Sequence, residues 1–570
     1  MTEQRVAGDR RPIAADLLLQ SLADHGVDYF FANSGTDFAP VVEAFSRAAQ
    51  SNAKVPQPIL VPHENLALAM AHGVYLVSGR PQAVMVHVNV GTANTIANLA
   101  NLSRERAPVL LMAGRTPFTE KGRFGSRNRP IHWAQEMFDQ AGMVREFVKW
   151  DYELRMPEQT GDAVGRAYEM AMTSPRGPIY LTLPREPMSA VLDDMPAPGK
   201  PRVIPAPPHP DPQSIATLAD WIAAAERPLI ITSVAGEKDA VAALARLTES
   251  CAIPLVGQNA RVVALPSSHP MHFGFDSGSL LPDADLIIVI ECDVPWYPGA
   301  MQPAAGCRVV HIGEDPLFKR YPMRSFQNDL AITASATGAL HALVAQMELR
   351  LPAAKARIEA RRARLAGEAR TRRAKLTKEA EPQAAQIGLA ALSRAIGEAL
   401  PSDAILFNES ALMLDHCARE QPGTLFGLPP AGGLGWGMGA ALGAKLAAPD
   451  RLVVAALGDG AYLFGNPTVG HWVSGTYDLP ILTIIFNNSR YGAVRRASLH
   501  MFKDGATAAN DGRLFADLDP SPAYEELARV HGAFAERVER PEDLPGALRR
   551  ARDAVVNERR QALLNVICPY

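Results

Sequence analysis

Leu452–Phe464 reads LVVAALGDGAYLF, and the order of its parts decides the fold. An apolar run without a polar break is the pattern of a strand buried on both faces of a parallel sheet. The run stops at Gly458-Asp459-Gly460, where glycine permits a tight turn and lets a ligand approach the backbone. Asp459 is thereby set in a crevice at the strand's end. A helical pattern through Trp472 leads to a second apolar run, ILTIIF at Ile481–Phe486, which stops at Asn487-Asn488-Ser489-Arg490. Strand, helix and strand in succession form the unit of a parallel sheet. Ligands of an open α/β sheet lie beyond the carboxyl ends of its strands, so Asp459 and Asn488 can meet on one site. GDG alone or NN alone marks many turns, whereas the pair on successive buried strands is specific.

Both residues offer oxygen. A carboxylate, an amide oxygen and a loop carbonyl make a hard oxygen set that leaves positions for phosphate oxygens and water, as magnesium prefers.

The same alternation of apolar runs and helical patterns extends over all 570 residues, too many for one core, and predicts an α/β protein of three doubly wound parallel-sheet domains. The first is expected over residues 12–190, with strands at Val27–Ala32, Ala83–Val88, Pro108–Ala113 and Pro178–Thr182. A proline-dense linker, Met195–Pro212, separates it from the second, residues 213–349, with runs RPLIITS, IPLVGQ, ADLIIVIE and CRVVHIG. Residues 350–386 are rich in helix formers and basic side chains and read as a helical connector with a solvated face. The third domain, residues 387–569, holds AILFNES and the two runs already quoted.

Composition excludes several function classes. Lys+Arg 57 against Asp+Glu 60 gives a net charge of -3, so no global field gathers nucleic acid or an anionic membrane. No apolar run approaches the roughly 20 residues that span a bilayer, and the N-terminus lacks the pattern of an export signal. The five cysteines are scattered, with no C-x-x-C pair, which indicates neither disulfides nor zinc and suits the reducing cytoplasm. Small-molecule chemistry is the remaining expectation.

GDG followed after one crossover by NN resembles the cofactor signature of thiamine-diphosphate enzymes, and the resemblance covers nearly the whole chain. NES at Asn408–Ser410, AGGLG at Ala431–Gly435 and NNSRYGAVR at Asn487–Arg495 look like benzoylformate decarboxylase and its relatives. The resemblance implies pyrimidine-binding (PYR), central and diphosphate-binding (PP) domains, with thiamine diphosphate and Mg2+ as cofactors. It implies that Asp459, Asn488 and the Arg490 carbonyl hold the metal. The cofactor would be lined by Asn408, Glu409, Ser410, Gly432, Gly433, Gly458, Gly460, Ala461, Tyr491 and Gly492, with Leu434 as the apolar wedge that bends it.

In ILVPHENLALAMAHGVYL, Glu64 stands where a strand run gives way to a helix and resembles the glutamate that shares a proton with a cofactor ring nitrogen. Alone, it would read as an acidic residue suited to a helix N-terminus. His87 ends VMVHV ahead of Gly91-Thr92-Ala93-Asn94, which is expected to open a helix, and matches the family's proton-relaying histidine. Thr36, in ANSGTDF, stands where the decarboxylases place a substrate-contacting serine. His269, in SHPMHFG, resembles a family loop near the substrate, and His63 and His132 are weaker candidates. Arg129–Gln140, RPIHWAQEMFDQ, instead resembles acetolactate synthases and hydroxyacyl-CoA lyases. Arg123, Arg127 and Arg129 cluster there and could receive a carboxylate or phosphate. ECDVPWYPGAMQPAAG departs from the flavin-carrying pattern, so FAD is not expected.

The reaction expected from the resemblance is non-oxidative decarboxylation of a 2-oxo acid, with possible carboligation. Alternatives are an acetolactate-synthase-like carboligase, a 2-hydroxyacyl-CoA lyase, or a noncatalytic scaffold that keeps the fold. A homodimer or homotetramer with sites between subunits is implied, acting on a small 2-oxo acid or acyl substrate and on neither nucleic acid nor membrane.

Overall fold

Buried apolar strands separated by helices assemble into successive parallel sheets, in a computed structural model that describes residues 11–196, 202–382, 386–409 and 412–568. The first sheet contains β1 (Tyr29–Asn33), β2 (Gln57–Leu60), β3 (Ala83–Val86), β4 (Leu110–Arg115), β5 (Asp151–Glu153) and β6 (Ile179–Pro184), in the order β2-β1-β3-β4-β6-β5. The central sheet contains β7 (Pro228–Thr232), β8 (Leu255–Gly257), β9 (Leu286–Ile290), β10 (Arg308–Gly313) and β11 (Leu330–Thr333), ordered β11-β10-β9-β7-β8. The last contains β12 (Ile405–Glu409), β13 (Leu425–Gly427), β14 (Val453–Gly458), β15 (Leu482–Asn487), β16 (Phe534–Val538) and β17 (Ala562–Ile567), ordered β13-β12-β14-β15-β17-β16. The expected class, three doubly wound parallel-sheet domains, is the observed one. Chain order reverses beside the first strand of every sheet, and such switch points are where crevices open. First and last sheets repeat one strand order.

Several strands escape the reading of apolar runs. β5 and β11 are short edge strands without a buried run, and Asn565 interrupts β17. The helix expected to open at Gly91 begins earlier, at Val88, with His87 as its N-cap.

The Glu64–Ser78 and Gly437–Ala447 helices join the first and last sheets through one continuous apolar core, while the central sheet has its own. They cross backbone against backbone. A Cβ at Gly73 would lie 1.9 Å from the Ala440 carbonyl oxygen, and one at Gly443 would lie 1.9 Å from that of Met70. His72 is buried at the same joint, accepts a 3.0 Å hydrogen bond from Trp436 Nε1, and is driven by burial to a pKa of about 3. It is therefore a neutral acceptor.

The basic connector forms one helix, Leu351–Glu379, but its charged face is not wholly solvated as expected. Arg361 is buried and donates to the carbonyls of Cys251, at 3.0 Å, and Ile222, at 2.7 Å, with a third bond to Ala225. Arg357 reaches the Ala223 carbonyl and Arg362 that of Glu249. These carbonyls end the Pro212–Ala224 and Lys238–Cys251 helices, where unpaired acceptors and the negative end of the dipole favour guanidinium. The arginines clasp the central domain.

Gly73→Ala is expected to cost about 1–3 kcal/mol by overpacking the crossing. Scanning calorimetry on the whole chain should show a midpoint lower by several degrees; an unmoved midpoint would mean that the helices separate freely.

Candidate active site

β14 and β15 pair with Gly458 opposite Phe486, so Asp459 and Asn488 leave adjacent strand tips. Asp459 is 3% exposed. Its Oδ1 accepts from the Gly460 amide at 2.8 Å, while Oδ2 is buried without a hydrogen-bond partner. Burial raises its carboxyl above the usual range, against the opposing amides of Gly460, Ser489, Arg490 and Asn488. The Asn488 side-chain oxygen accepts from the Arg490 amide at 3.0 Å, and the Arg490 carbonyl accepts from Gly492 at 3.0 Å. Two bonds of 2.7 Å, Tyr491 N to Ala516 O and Leu518 N to Ser489 O, stitch this turn to the chain beyond it. Behind it, Asn487 Nδ2 donates to Ser521 and Asn565 at 3.0 Å, and Asn565 donates to Glu525 at 2.6 Å. The turn is held from two sides.

A buried carboxylate oxygen without a donor is costly as an anion, and a divalent cation is a fitting partner for it. Asp459, Asn488 and the Arg490 carbonyl are the oxygen donors at hand. A Cβ at Gly458 would meet nothing within 4 Å, leaving that side open, whereas Gly460 is roofed by the Tyr491 ring, 2.5 Å from where its Cβ would be. Ala461 is buried in the following turn, and Gly492 opens the Gly492–Met501 helix.

In AGGLG, Gly432 and Gly435 have φ of 67° and 82°, which favours glycine. Leu434 between them is half-buried. Asn101, from the Ile96–Glu105 helix, pins the loop, accepting from Gly433 N at 2.9 Å and donating to Gly433 O at 2.7 Å. Asn408 accepts from Leu412 N at 3.0 Å. Glu409 faces inward instead. Its carboxylate accepts from the amides of Gly435 at 2.7 Å, Trp436 at 3.3 Å and Gly437 at 2.7 Å, at the start of the Gly437–Ala447 helix. Complete burial nonetheless pushes it up to about 7. Ser410 lies outside the described residues.

In the first domain, Glu64 begins its helix and is 7% exposed, with Oε2 accepting from Asn94 Nδ2 at 3.1 Å. His87 Nδ1 lies 2.5 Å from Asp37 Oδ1, and its Nε2 lies 3.4 Å from Gln135 Nε2. A cavity joins His87 to Thr36, His132, Arg115, Gln135 and Arg185. Thr36, His87 and His132 therefore line one cavity. His132 Nδ1 accepts from Asn128 N at 3.2 Å, and burial with nearby arginines lowers its pKa. His269 sits elsewhere: its Nδ1 accepts from Met271 N at 3.2 Å in a loop of the central domain. His63 is the N-cap of the Glu64 helix, its pKa lowered by burial. Of the arginine cluster, Arg127 pairs with Glu136, and Arg123 lines a separate cleft of about 750 Å³ with Arg127 and Arg185. Among the described residues no hydrogen bond or ion pair joins Glu64 or His87 to Asp459 or Asn488 within the chain.

Sequence reading missed Asp37, Asn101 and Gln135. Asp37 directly follows Thr36, and its signal was a carboxylate in a short loop after an apolar strand. Gln135 lay inside the quoted RPIHWAQEMFDQ segment without being singled out.

Three family models match the chain: the N-terminal TPP binding domain of thiamine pyrophosphate enzymes over residues 13–143, their central domain over 215–343, and their C-terminal TPP binding domain over 409–566. Benzoylformate decarboxylase from Pseudomonas aeruginosa is 28% identical over 553 residues, covering 93% of this chain and 94% of that protein. Sulfoacetaldehyde acetyltransferase from Castellaniella defragrans is 24% identical, covering 100% of this chain and 95% of that one. The solved 4-hydroxybenzoylformate decarboxylase of Rhodococcus jostii RHA1 superposes with a TM-score of 0.78 at 21% identity, covering 98% of this chain and 99% of that chain.

Glu409→Gln should turn an amide N–H toward a backbone N–H and destabilise the fold by about 1–3 kcal/mol. Denaturant unfolding monitored through tryptophan emission checks this, and equal midpoints would show that the carboxylate is not needed there.

Proposed function

The chain belongs to the thiamine pyrophosphate enzymes, and from that premise we propose that it removes carbon dioxide from a 2-oxo acid without oxidation, releasing an aldehyde. The observation that carries this reading is the buried, unpartnered Asp459 oxygen beside Asn488 at adjacent strand tips. Asp459, Asn488 and the Arg490 carbonyl would hold Mg2+, and through it the diphosphate, with Leu434 against the ring system. When bound, thiamine diphosphate supplies the nucleophilic carbon and the electron sink for the bond that breaks. Glu64, buried at a helix start, would share a proton with the pyrimidine ring of the bound cofactor. His87 lines the cavity and would move a proton to the reacting carbon.

The decarboxylase relative supports this reaction over others. The acetyltransferase relative, and Gln135 beside His87 in the segment like those of acetolactate synthases and hydroxyacyl-CoA lyases, support acyl transfer to a second carbonyl or to CoA as the second reading. A scaffold that only keeps the fold is disfavoured by intact Glu64 and an intact oxygen set. A homodimer or homotetramer with sites completed between copies is the assembly that goes with this reading. Five free, buried cysteines agree with a cytoplasmic enzyme. At the central switch point Ser233 bonds Cys292 Sγ at 3.0 Å, and buried Arg261 pairs with Glu105 at 2.9 Å and Asp293 at 3.6 Å. The reading without flavin rests on the ECDVPWYPGAMQPAAG stretch, which departs from the flavin-carrying pattern.

Screening aryl and alkyl 2-oxo acids with thiamine diphosphate and Mg2+ should release aldehyde and carbon dioxide; acetolactate from pyruvate without aldehyde would favour the second reading. Glu64→Gln should keep cofactor affinity and lose turnover by about 10²–10⁴-fold. Asp459→Ala should lose Mg2+-dependent cofactor binding in calorimetry, and full activity in either variant would refute the assignment.

A further inference from the structure

The switch point of the first sheet carries a second built site, at the tips of β1, β3 and β4. We infer that Asp37 is the positioning residue for His87, binding the ring at Nδ1 so that Nε2 is its working atom toward the cavity. The inference rests on the proposed decarboxylation and adds a residue to it.

Geometry carries it. Asp37 has a side chain only 5% exposed, with Oδ1 2.5 Å from His87 Nδ1 and Oδ2 accepting from Val88 N at 3.3 Å. Both groups occupy niches that glycine leaves open. A Cβ at Gly35 would lie 2.2 Å from His87 Nδ1, and one at Gly114 would lie 1.9 Å from Asp37 Oδ2. Val88, the residue after His87, has φ of 34°, a left-handed value that β-branched residues avoid and that accumulates at functional sites. A carboxylate accepting at Nδ1 fixes the proton there and leaves Nε2, beside Gln135, to exchange protons.

The surrounding charges agree. Asp37 by its hydrogen bond raises the His87 pKa, burial opposes this, and Asp37 and Glu64 raise it further by charge, for a net rise. Two arginines line the same cavity. Arg115 is compensated by Glu136, at 3.0 Å, and by Glu153, while Arg185 donates to the carbonyls of Gly125 and Ser126 at 2.8 Å. His132, the other titratable group there, is pushed toward its neutral form. A raised pKa means that the charged ring persists to higher pH than an unperturbed histidine would. In the reaction the bond to the carboxylate breaks, its electron pair takes the proton from Nε2 at the carbon that lost carbon dioxide, and the ring regains one from water. Nothing is oxidised or reduced.

Histidine-labelled protein, with His87 resonances assigned through His87→Gln, tests this by NMR titration beside kcat/KM profiles. Asp37→Asn should move the His87 titration, and the alkaline limb of the profile, to lower pH by about 1–3 units while thiamine diphosphate affinity is kept. Identical titrations in the two proteins overturn the inference. If Asp37→Asn fails to fold, the nitrogen shifts of the intact protein decide: a neutral ring protonated at Nδ1 supports it, and one protonated at Nε2 refutes it. Because titration needs no substrate, a protein inert toward every 2-oxo acid sinks the reaction and leaves the pair independently tested.

Discussion

The close crossing of the Glu64–Ser78 and Gly437–Ala447 helices is the constraint on which both crevices depend. Gly73 and Gly443 remove the side chains that would hold the helices apart, so the first and last sheets share one core. Each helix also begins at a buried carboxylate: Glu64 starts one, and Glu409 lies under the other. The packing that sets the two domains against each other thus fixes where those carboxylates stand.

Buried carboxylates are dealt with in different ways along the chain, and the differences separate structure from chemistry. Glu409 faces three backbone amides and is internally satisfied as a helix cap. Asp37 has a histidine and one amide, an arrangement that orients a ring rather than a backbone. Asp459 keeps one oxygen without any donor. Since an unpaired buried charge is unfavourable, that oxygen, standing beside Asn488 at a strand tip, suits a partner from outside the chain.

Much of the fold was legible because buried parallel strands are long apolar runs ended by glycine, asparagine or aspartate, as in LVVAALGDG and ILTIIFNN. Edge strands such as β5 gave no such signal, being stabilised by pairing rather than burial. Asp459 and Asn488 could be placed together because strand, crossover and strand fix neighbours. Glu409 could not be assigned its amides, since helix N-termini recruit partners from distant sequence, and Asp37, though in a short loop after an apolar strand, could not be given a role because its partner lies fifty residues on. The arginines of the Leu351–Glu379 helix misled for the same reason: a basic run looks solvated until the helix ends that it covers are known.

The repeated strand order lets positions in one sheet be translated into the other. The first residue past the third strand is His87 in one and Asp459 in the other. A single architectural blueprint therefore sets, at homotopic vertices, a histidine and a carboxylate, the residues proposed as proton carrier and cation ligand. The two sheets share a plan, while the residues that the plan sets at corresponding tips differ in chemistry.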